Sequence, residues 1–232
     1  HLGGTRWHPG FVDTVHPEGG KDAGIRAVEE SIKRCGMSAR VESSDIIPTF
    51  YRIRYDVDTD KKVSIIIPNK DHLSDLKTCI DSILKLTTYP NYEIVIVDNG
   101  SSESALFAYY EEIKTHPTIT VCSLDIPFNY SILNNFAISH ATGDYYLLLN
   151  NDIEIITPNW LEEMLMYAQR DDVGAVGAKL YYPDNTVQHA GVLLGVGGFA
   201  CHAFPRFGRA EVGYMGRAGY AQNLSAVTAA CM

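Results

Sequence analysis

Apolar positions along the chain change their period several times, and each change predicts an element. Ile25, Val28 and Ile32 recur at helical spacing in KDAGIRAVEESIKRCG, with Gly36 as a stop. Residues 1–19 keep no period and read as irregular, while Arg40–Glu42 and Phe50–Tyr55 read as short strands. The composition changes at Lys62. VSIIIP is a continuous β-branched run, as expected of a strand buried on both faces of a parallel sheet. A helix follows with Leu73, Leu76, Cys79, Ile80, Ile83 and Leu84 on one face. EIVIVD (Glu93–Asp98) predicts a second strand, Ser104–Lys114 a helix and TITVCSL (Thr118–Leu124) a third strand. Ser131–His140 reads as a helix with Ile132, Leu133, Phe136 and Ala137 inward, and YYLLL (Tyr145–Leu149) as a fourth strand. Thr157 and Pro158 stand as N-cap and first residue of a helix running to about Arg170. AVGAKLYY (Ala175–Tyr182) predicts a fifth strand.

This alternation predicts an α/β fold with a mostly parallel sheet and right-handed crossovers. Residues 1–60 form a small N-terminal α/β appendage or linker, and residues 61–232 the main domain. Ligands of such sheets bind at the carboxyl ends of the strands, here Pro68–Asp71, Asp98–Ser101, Leu124–Asn129 and Asn150–Asp152. Those ends read PNKDH, DNGSSE, FNYS and NNDIE. One polar strand end means little, but four on one edge form a site-like pattern. Each also has a plainer reading. Asn99-Gly100 is a hairpin signal, Asn69, Asp71 and Ser74 are candidate caps of the first helix after Lys62, and Asp152 suits a solvated turn.

An apolar fraction of 46% and a charged fraction of 20% are ordinary for a soluble globular chain. The net charge of −9 argues against broad nucleic-acid binding, which needs a basic face. The five cysteines are scattered without a C-x-x-C pair, which disfavours a disulfide framework or a zinc site and suits a reducing compartment, the cytoplasm. No apolar run approaches transmembrane length and no signal peptide opens the chain. The start at His1 suggests an excised fragment.

The segments VSIIIPNKD, YPNYEIVIVDNGSSE, FNYSILNNFAISHATGDYYLLLNNDIEIITPNWLEEM and GAVGAKLYYPDNTVQHAGVLLG together resemble the nucleotide-binding half of the family 2 glycosyltransferases of bacterial surface-polysaccharide type. The resemblance implies the GT-A fold, Rossmann-like, and a nucleotide-diphosphate sugar donor. It implies that Asp98 accepts a hydrogen bond from the N–H of the base, that Pro68, Asn69 and Asp71 lie along base and ribose, and that Asn135 is a recurrent asparagine of the helix before the fourth strand. Asn150-Asn151-Asp152 takes the place of the D-x-D motif, whose acidic residues hold Mg2+ or Mn2+ between the phosphates. Only Asp152 is acidic here, so the metal role falls to it, with Asn150 and Asn151 left on the donor side. A cation also answers the difficulty of binding an anionic diphosphate to an acidic chain. Transfer of this kind inverts the anomeric carbon, with a base deprotonating the acceptor hydroxyl. The acceptor implied is a saccharide or lipid-linked saccharide, peripheral to the inner membrane face.

Beyond the fifth predicted strand, Gln188 and His189 stand on the implied acceptor side, although a His beside an apolar run is more often a hydrogen-bonded structural residue. Gly195-x-Gly197 fails as a dinucleotide loop on context, and His202 near Cys201 lacks metal-ligand spacing. In the family the base follows an apolar strand resembling SAVTAACM, so it is expected beyond Met232, and the fragment is expected not to transfer sugar alone. Val227 and Cys231 are expected at an exposed edge that favours self-association. Three other classes compete. They are a non-catalytic nucleotide-binding module, a nucleotidyltransferase, which lacks its Gly-rich basic loop here, and an NAD-dependent enzyme, which lacks its fingerprint.

Overall fold

The computed structural model describes residues 17–44, 50–196 and 198–232. The irregular stretch expected over residues 1–19 lies outside the described residues as far as 16, and a helix, α1 (Pro17–Arg34), begins at Pro17. It packs on an antiparallel hairpin of β1 (Ala39–Ser43) and β2 (Tyr51–Tyr55).

The main domain is built on four parallel strands, β3 (Val63–Asn69), β4 (Tyr92–Asp98), β5 (Ile119–Ser123) and β6 (Tyr145–Leu148), in the order β5-β4-β3-β6. The connecting helices are α2 (Leu73–Leu86), α3 (Ser104–Ile113) and α4 (Tyr130–Ile138), and α5 (Trp160–Ala168) follows β6. Why the strand sequences lack polar alternation is visible in the packing. Ile65, Ile67, Ile94 and Ile96 face one core with Leu76, Ile80, Leu106, Trp160 and Leu165. Their chain neighbours Ile66, Val95 and Val97 face a second core with Leu133 and Ala137 of α4. Each Ile, Leu or Val side chain among these contributes roughly 1.5–3 kcal/mol. No helix among the described residues is long and apolar enough to cross a membrane.

Polar residues close the sheet at the end where its strands begin. Glu93 accepts from Lys62 Nζ at 2.6 Å, Ser64 Oγ at 2.7 Å and the Thr142 backbone N–H at 2.6 Å. Gly143 N–H donates to the same Ser64 hydroxyl at 2.9 Å, and a Cβ on Gly143 would lie 2.5 Å from that oxygen. A side chain there would push the loop off β3.

The chain differs from expectation over Ala175–Tyr182. Only β7 (Leu180–Tyr181) is a strand, paired antiparallel with β8 (Val187–His189) outside the parallel sheet. The place beside β6 belongs to the last residues, which run antiparallel to it. Leu148 N–H donates to Met232 O at 2.8 Å, Met232 N–H to Leu148 O at 3.0 Å, and Asn150 N–H to Ala230 O at 2.9 Å. Ala178 N–H donates to Cys231 O at 3.1 Å, so residues 175–178 stand one place further out. There Gly177 backs so closely onto Val227 that a Cβ would meet the Val227 Cβ at 2.5 Å. Cys231 is consequently 2% exposed and Val227 half-buried, so the apolar edge expected at these two residues is covered.

Helix α5 also starts later than expected. Thr157 is not its N-cap, because the Pro158 carbonyl is turned out to accept from both the N–H and the Oγ1 of Thr88, each at 3.0 Å. Asn159 takes the cap position and the helix ends at Ala168. The N-terminal hairpin rests on α5 through Arg52 and Arg54, whose guanidinium groups lie 2.5 and 2.6 Å from Glu163. A last hairpin pairs β9 (Val192–Leu194) with β10 (Ala200–His202).

Candidate functional site

The sheet grows outward from β3 through β4 to β5, then crosses back to place β6 on the other side of β3. That reversal makes β3 and β6 a switch point, where a crevice opens at the carboxyl ends. Register decides what meets there. Asn69 pairs with Asp98 across β3 and β4, while Ile66 pairs with Leu148 across β3 and β6, which brings Asn69 level with Asn151 three residues on.

These residues form one hydrogen-bonded chain. Asn151 Nδ2 donates to Asn69 Oδ1 at 2.6 Å, Asn69 Nδ2 donates to the Tyr110 hydroxyl at 2.8 Å, and that hydroxyl donates to Asp98 Oδ1 at 3.0 Å. Ser101 Oγ donates to the same carboxylate oxygen and Ser101 N–H to Asp98 Oδ2 at 3.2 Å. Asn69 and Asp98 are 3% and 4% exposed, so each polar bond replaces one that water would have made. Burial pushes the Tyr110 phenol pKa upward, which keeps its proton in place for Asp98. Sequence reasoning missed Tyr110 and Ser101. Ser101 carried a signal, sitting within the polar strand end DNGSSE, but Tyr110 sits among the inward residues of α3 and reads as core.

The loops around this chain cap each other's helices. Asp71 Oδ1 accepts from the N–H groups of Ser102 and Glu103 at 2.7 and 3.0 Å, where α3 starts. Those two bonds, foremost among the influences on it, hold the Asp71 carboxyl below its usual range. In return Glu103 Oε2 accepts from Leu73 N–H at 3.2 Å, the first residue of α2, whose own N-cap His72 makes no side-chain cap. Asp71 therefore caps the helix after β4 rather than α2. Asn99-Gly100 is a turn into α3 and not a hairpin. Gly100 has φ +68°, and a Cβ on it would lie 2.3 Å from Asp125 Oδ1. Asn99 Oδ1 accepts from Ile126 N–H at 3.1 Å and holds the third loop, from which Phe128 projects, 76% exposed.

On the fourth loop, Asn150 is held by its backbone. Its N–H reaches Ala230 O, and its carbonyl accepts from Cys79 Sγ at 3.8 Å. Asp152 is exposed, and the Asn151 Oδ1 has no hydrogen-bond partner among the described residues. No group of three or more His, Cys, Asp or Glu side chains among those residues comes together to hold a metal ion. One exposed carboxylate beside one free amide oxygen fits a hard cation such as Mg2+ or Mn2+ whose other ligands are phosphate oxygens and water. It does not fit a cation held by protein alone.

The remaining expected residues stand apart from this chain. Pro68 is half-buried within β3, and Asn135 is exposed on α4 while its neighbour Asn134 is buried. Gln188 is half-buried in β8. His189, 1% exposed, holds three pieces of chain together. Its Nε2 accepts from the N–H groups of Gly191 at 3.2 Å and Thr228 at 3.3 Å, and its Nδ1 lies 2.7 Å from His202 Nδ1. An Nε2 that accepts twice carries no proton, so Nδ1 donates to His202. Burial, with the neighbouring His202 as the lesser cause, pushes the His189 pKa down to about 4.

A family model described as Glycosyl transferase family 2 matches residues 64–205. The chain is 44% identical over 211 residues to O-antigen biosynthesis protein RfbC of Myxococcus xanthus, covering 90% of this chain and 16% of that protein. It is 45% identical over 213 residues to the uncharacterized protein y4gI of Sinorhizobium fredii, covering 91% of this chain and 23% of that one. The chain thus spans under a quarter of the length of either relative. Among solved structures it is similar to the mannosyltransferase PcManGT of Pyrobaculum calidifontis in complex with GDP-Man and Mn2+. There the TM-score is 0.48 and the identity 19%, over 73% of this chain and 46% of that one.

Proposed function

Since the chain belongs to glycosyl transferase family 2, we propose that its strand-end network binds a nucleotide-diphosphate sugar for inverting transfer to a saccharide or lipid-linked saccharide acceptor. The observation that supports this reading is the continuity of the network, which joins the buried carboxylate Asp98 on β4 to Asn151 on the loop after β6. Asp98 accepts the N–H of the base, and Pro68 and Asn69 line the base and ribose. Asp71 shapes that loop from beneath, its carboxylate already committed to α3. Asn150 and Asn151 face the diphosphate, Asn135 stands on α4 at its flank, and Gln188 and His189 belong to the acceptor side. Asp152, with the amide oxygen of Asn151, holds Mg2+ or Mn2+ against the phosphates. When bound, that cation offsets the charge that grows on the leaving diphosphate. Such transfer belongs in the cytoplasm, at the inner membrane face where the acceptor is lipid-linked.

A module that binds nucleotide without turnover is the second reading, favoured by the single carboxylate in Asn150-Asn151-Asp152. A panel of nucleotide sugars, screened by thermal shift with and without MnCl2 and then in transfer assays with saccharide acceptors, separates the two. At a hundredfold excess over Kd a true donor stabilises the fold by about 2.7 kcal/mol. A shift with product from a chain extended beyond Met232 supports the transferase, a shift with no product even from that longer chain supports the module, and no shift with any donor overturns both.

A further inference from the structure

Two adjacent tyrosines on α3 are treated differently by the fold. Both rings are buried in the same core, but the Tyr109 hydroxyl finds no partner among the described residues, whereas the Tyr110 hydroxyl makes two hydrogen bonds. The direction of those bonds is set by charge. Asp98 is a carboxylate that accepts from Ser101 and Tyr110, so the single phenolic proton must point at Asp98. The Tyr110 oxygen is then left as an acceptor, and Asn69 turns its Nδ2 toward it at 2.8 Å and toward the Asp71 carbonyl at 3.1 Å. Asn69 then has its Oδ1 facing the other way, and only the N–H end of Asn151 can satisfy it. Asn151 is left with its oxygen free, next in sequence to Asp152.

We infer that Tyr110 is a positioning residue of the donor site: its hydroxyl passes the polarity imposed by Asp98 through Asn69 to Asn151, so that Asn151 offers an oxygen, not an N–H, to a cation beside Asp152. The inference rests on the donor-site reading above and adds a coupling between its two ends. The negative charge that meets the base also sorts the amide that meets the metal. Replacing the hydroxyl by hydrogen leaves the Asp71 carbonyl, which accepts from Asn69 Nδ2 at 3.1 Å, as the single acceptor among the described residues orienting that amide. Asn69, and Asn151 with it, then turn more readily, and N–H groups compete with oxygens for the position beside Asp152.

The test is calorimetric titration of UDP and GDP, with and without MnCl2, into the wild-type chain and into Tyr110→Phe, Asn151→Ala, their double variant and Asp98→Ala. The quantity read is the gain in affinity that Mn2+ brings, because a merely loosened fold lowers affinity with and without the metal alike. Tyr110→Phe and Asn151→Ala are each expected to reduce that gain about tenfold, and the double variant to lose no more than the larger single loss, since both break one chain. A Tyr110→Phe variant with the full Mn2+ gain, or single losses that multiply in the double variant, overturns the inference. Should Tyr110→Phe fail to fold, Asn69→Leu breaks the same chain one link on. A lost gain there supports the coupling and a retained one overturns it. If neither nucleotide binds the wild type, or Asp98→Ala binds as the wild type does, the donor-site reading itself falls. If Asp98→Ala loses affinity while Tyr110→Phe keeps the metal gain, only the coupling falls.

Discussion

Asn151 and Asp152 are neighbours in sequence and part company in the fold, one side chain tied inward to β3 and the other exposed. Asp152 is the one carboxylate in Asn150-Asn151-Asp152, so its charge carries most of that segment's attraction for a divalent cation. Asp152→Asn keeps size and polarity and removes that charge. It is expected to abolish most of the Mn2+ or Mg2+ gain in nucleotide-diphosphate affinity while leaving metal-free binding nearly unchanged, as read by titration in EDTA and in MnCl2. Wild-type binding indifferent to EDTA would remove the metal role from this loop. At this scale the sequence was a partial guide. Asp98 and Asn69 were legible because a buried strand that ends in Asp or Asn exposes a reason for ending there. The helix that Asp71 caps was not, because its partner lies about thirty residues on, across a helix and a strand. Nor was Tyr110, since spacing on a helix tells which ring is inward and nothing about what its hydroxyl reaches.

The elements themselves were largely readable, since the strands of the parallel sheet are continuous apolar runs and their helices carry apolar stripes. Ala175–Tyr182 misled because its apolar residues fit a strand while Gly177 supplies the small side that lets Val227 lie against it. What occupies the sheet beside β6 is instead a stretch of Ala and Cys far along the chain, a long-range pairing that local period cannot reveal. The crossed caps of α2 and α3 belong to this scale as well. Each helix start depends on a residue from the other's loop, so the two are expected to loosen together. Glu103→Ala removes the acceptor for Leu73 N–H and is expected to lower stability by about 0.5–1 kcal/mol, measured as a fall in the urea midpoint at constant m-value. Asp71→Ala removes two such bonds and is expected to shift the midpoint further in the same direction. A shift smaller than that of Glu103→Ala would show that water replaces the carboxylate at no cost.

For the whole molecule, two groups at separate places, the ones pushed furthest below their ordinary values, weigh most in the response to acid. His189 stays neutral in the folded chain down to about 4, against 6.5 for an ordinary histidine, so the unfolded chain takes up its proton first as the pH falls. Stability from this source is complete above about 6.5 and is lost between there and about 4. Glu93 works lower down. Burial is the largest single influence on it and acts to raise its pKa, but bonds from Lys62, Ser64 and Thr142 together hold it down at about 2, against 4.5 for the free group. Its contribution is full above about 4.5 and disappears as the pH falls toward 2. Melting temperatures measured from pH 7 to 2.5 are therefore expected to fall in two stages, and His189→Gln, which keeps an acceptor near the Nε2 position, is expected to flatten the upper stage alone. An unaltered upper stage would place its origin elsewhere. The Glu93 cluster has a second consequence, for alignment. VSIIIPN and YEIVIVD are apolar on both faces, so sliding one past the other by a residue would exchange one oily face for another, with little loss of burial to oppose it. A slipped Glu93 would leave Lys62 and Ser64 and bury a carboxylate with no partner. Glu93 thus acts as the zero mark of a ruler laid along β3 and β4, and a ruler fixed at its start brings Asn69 opposite Asp98 at the far end.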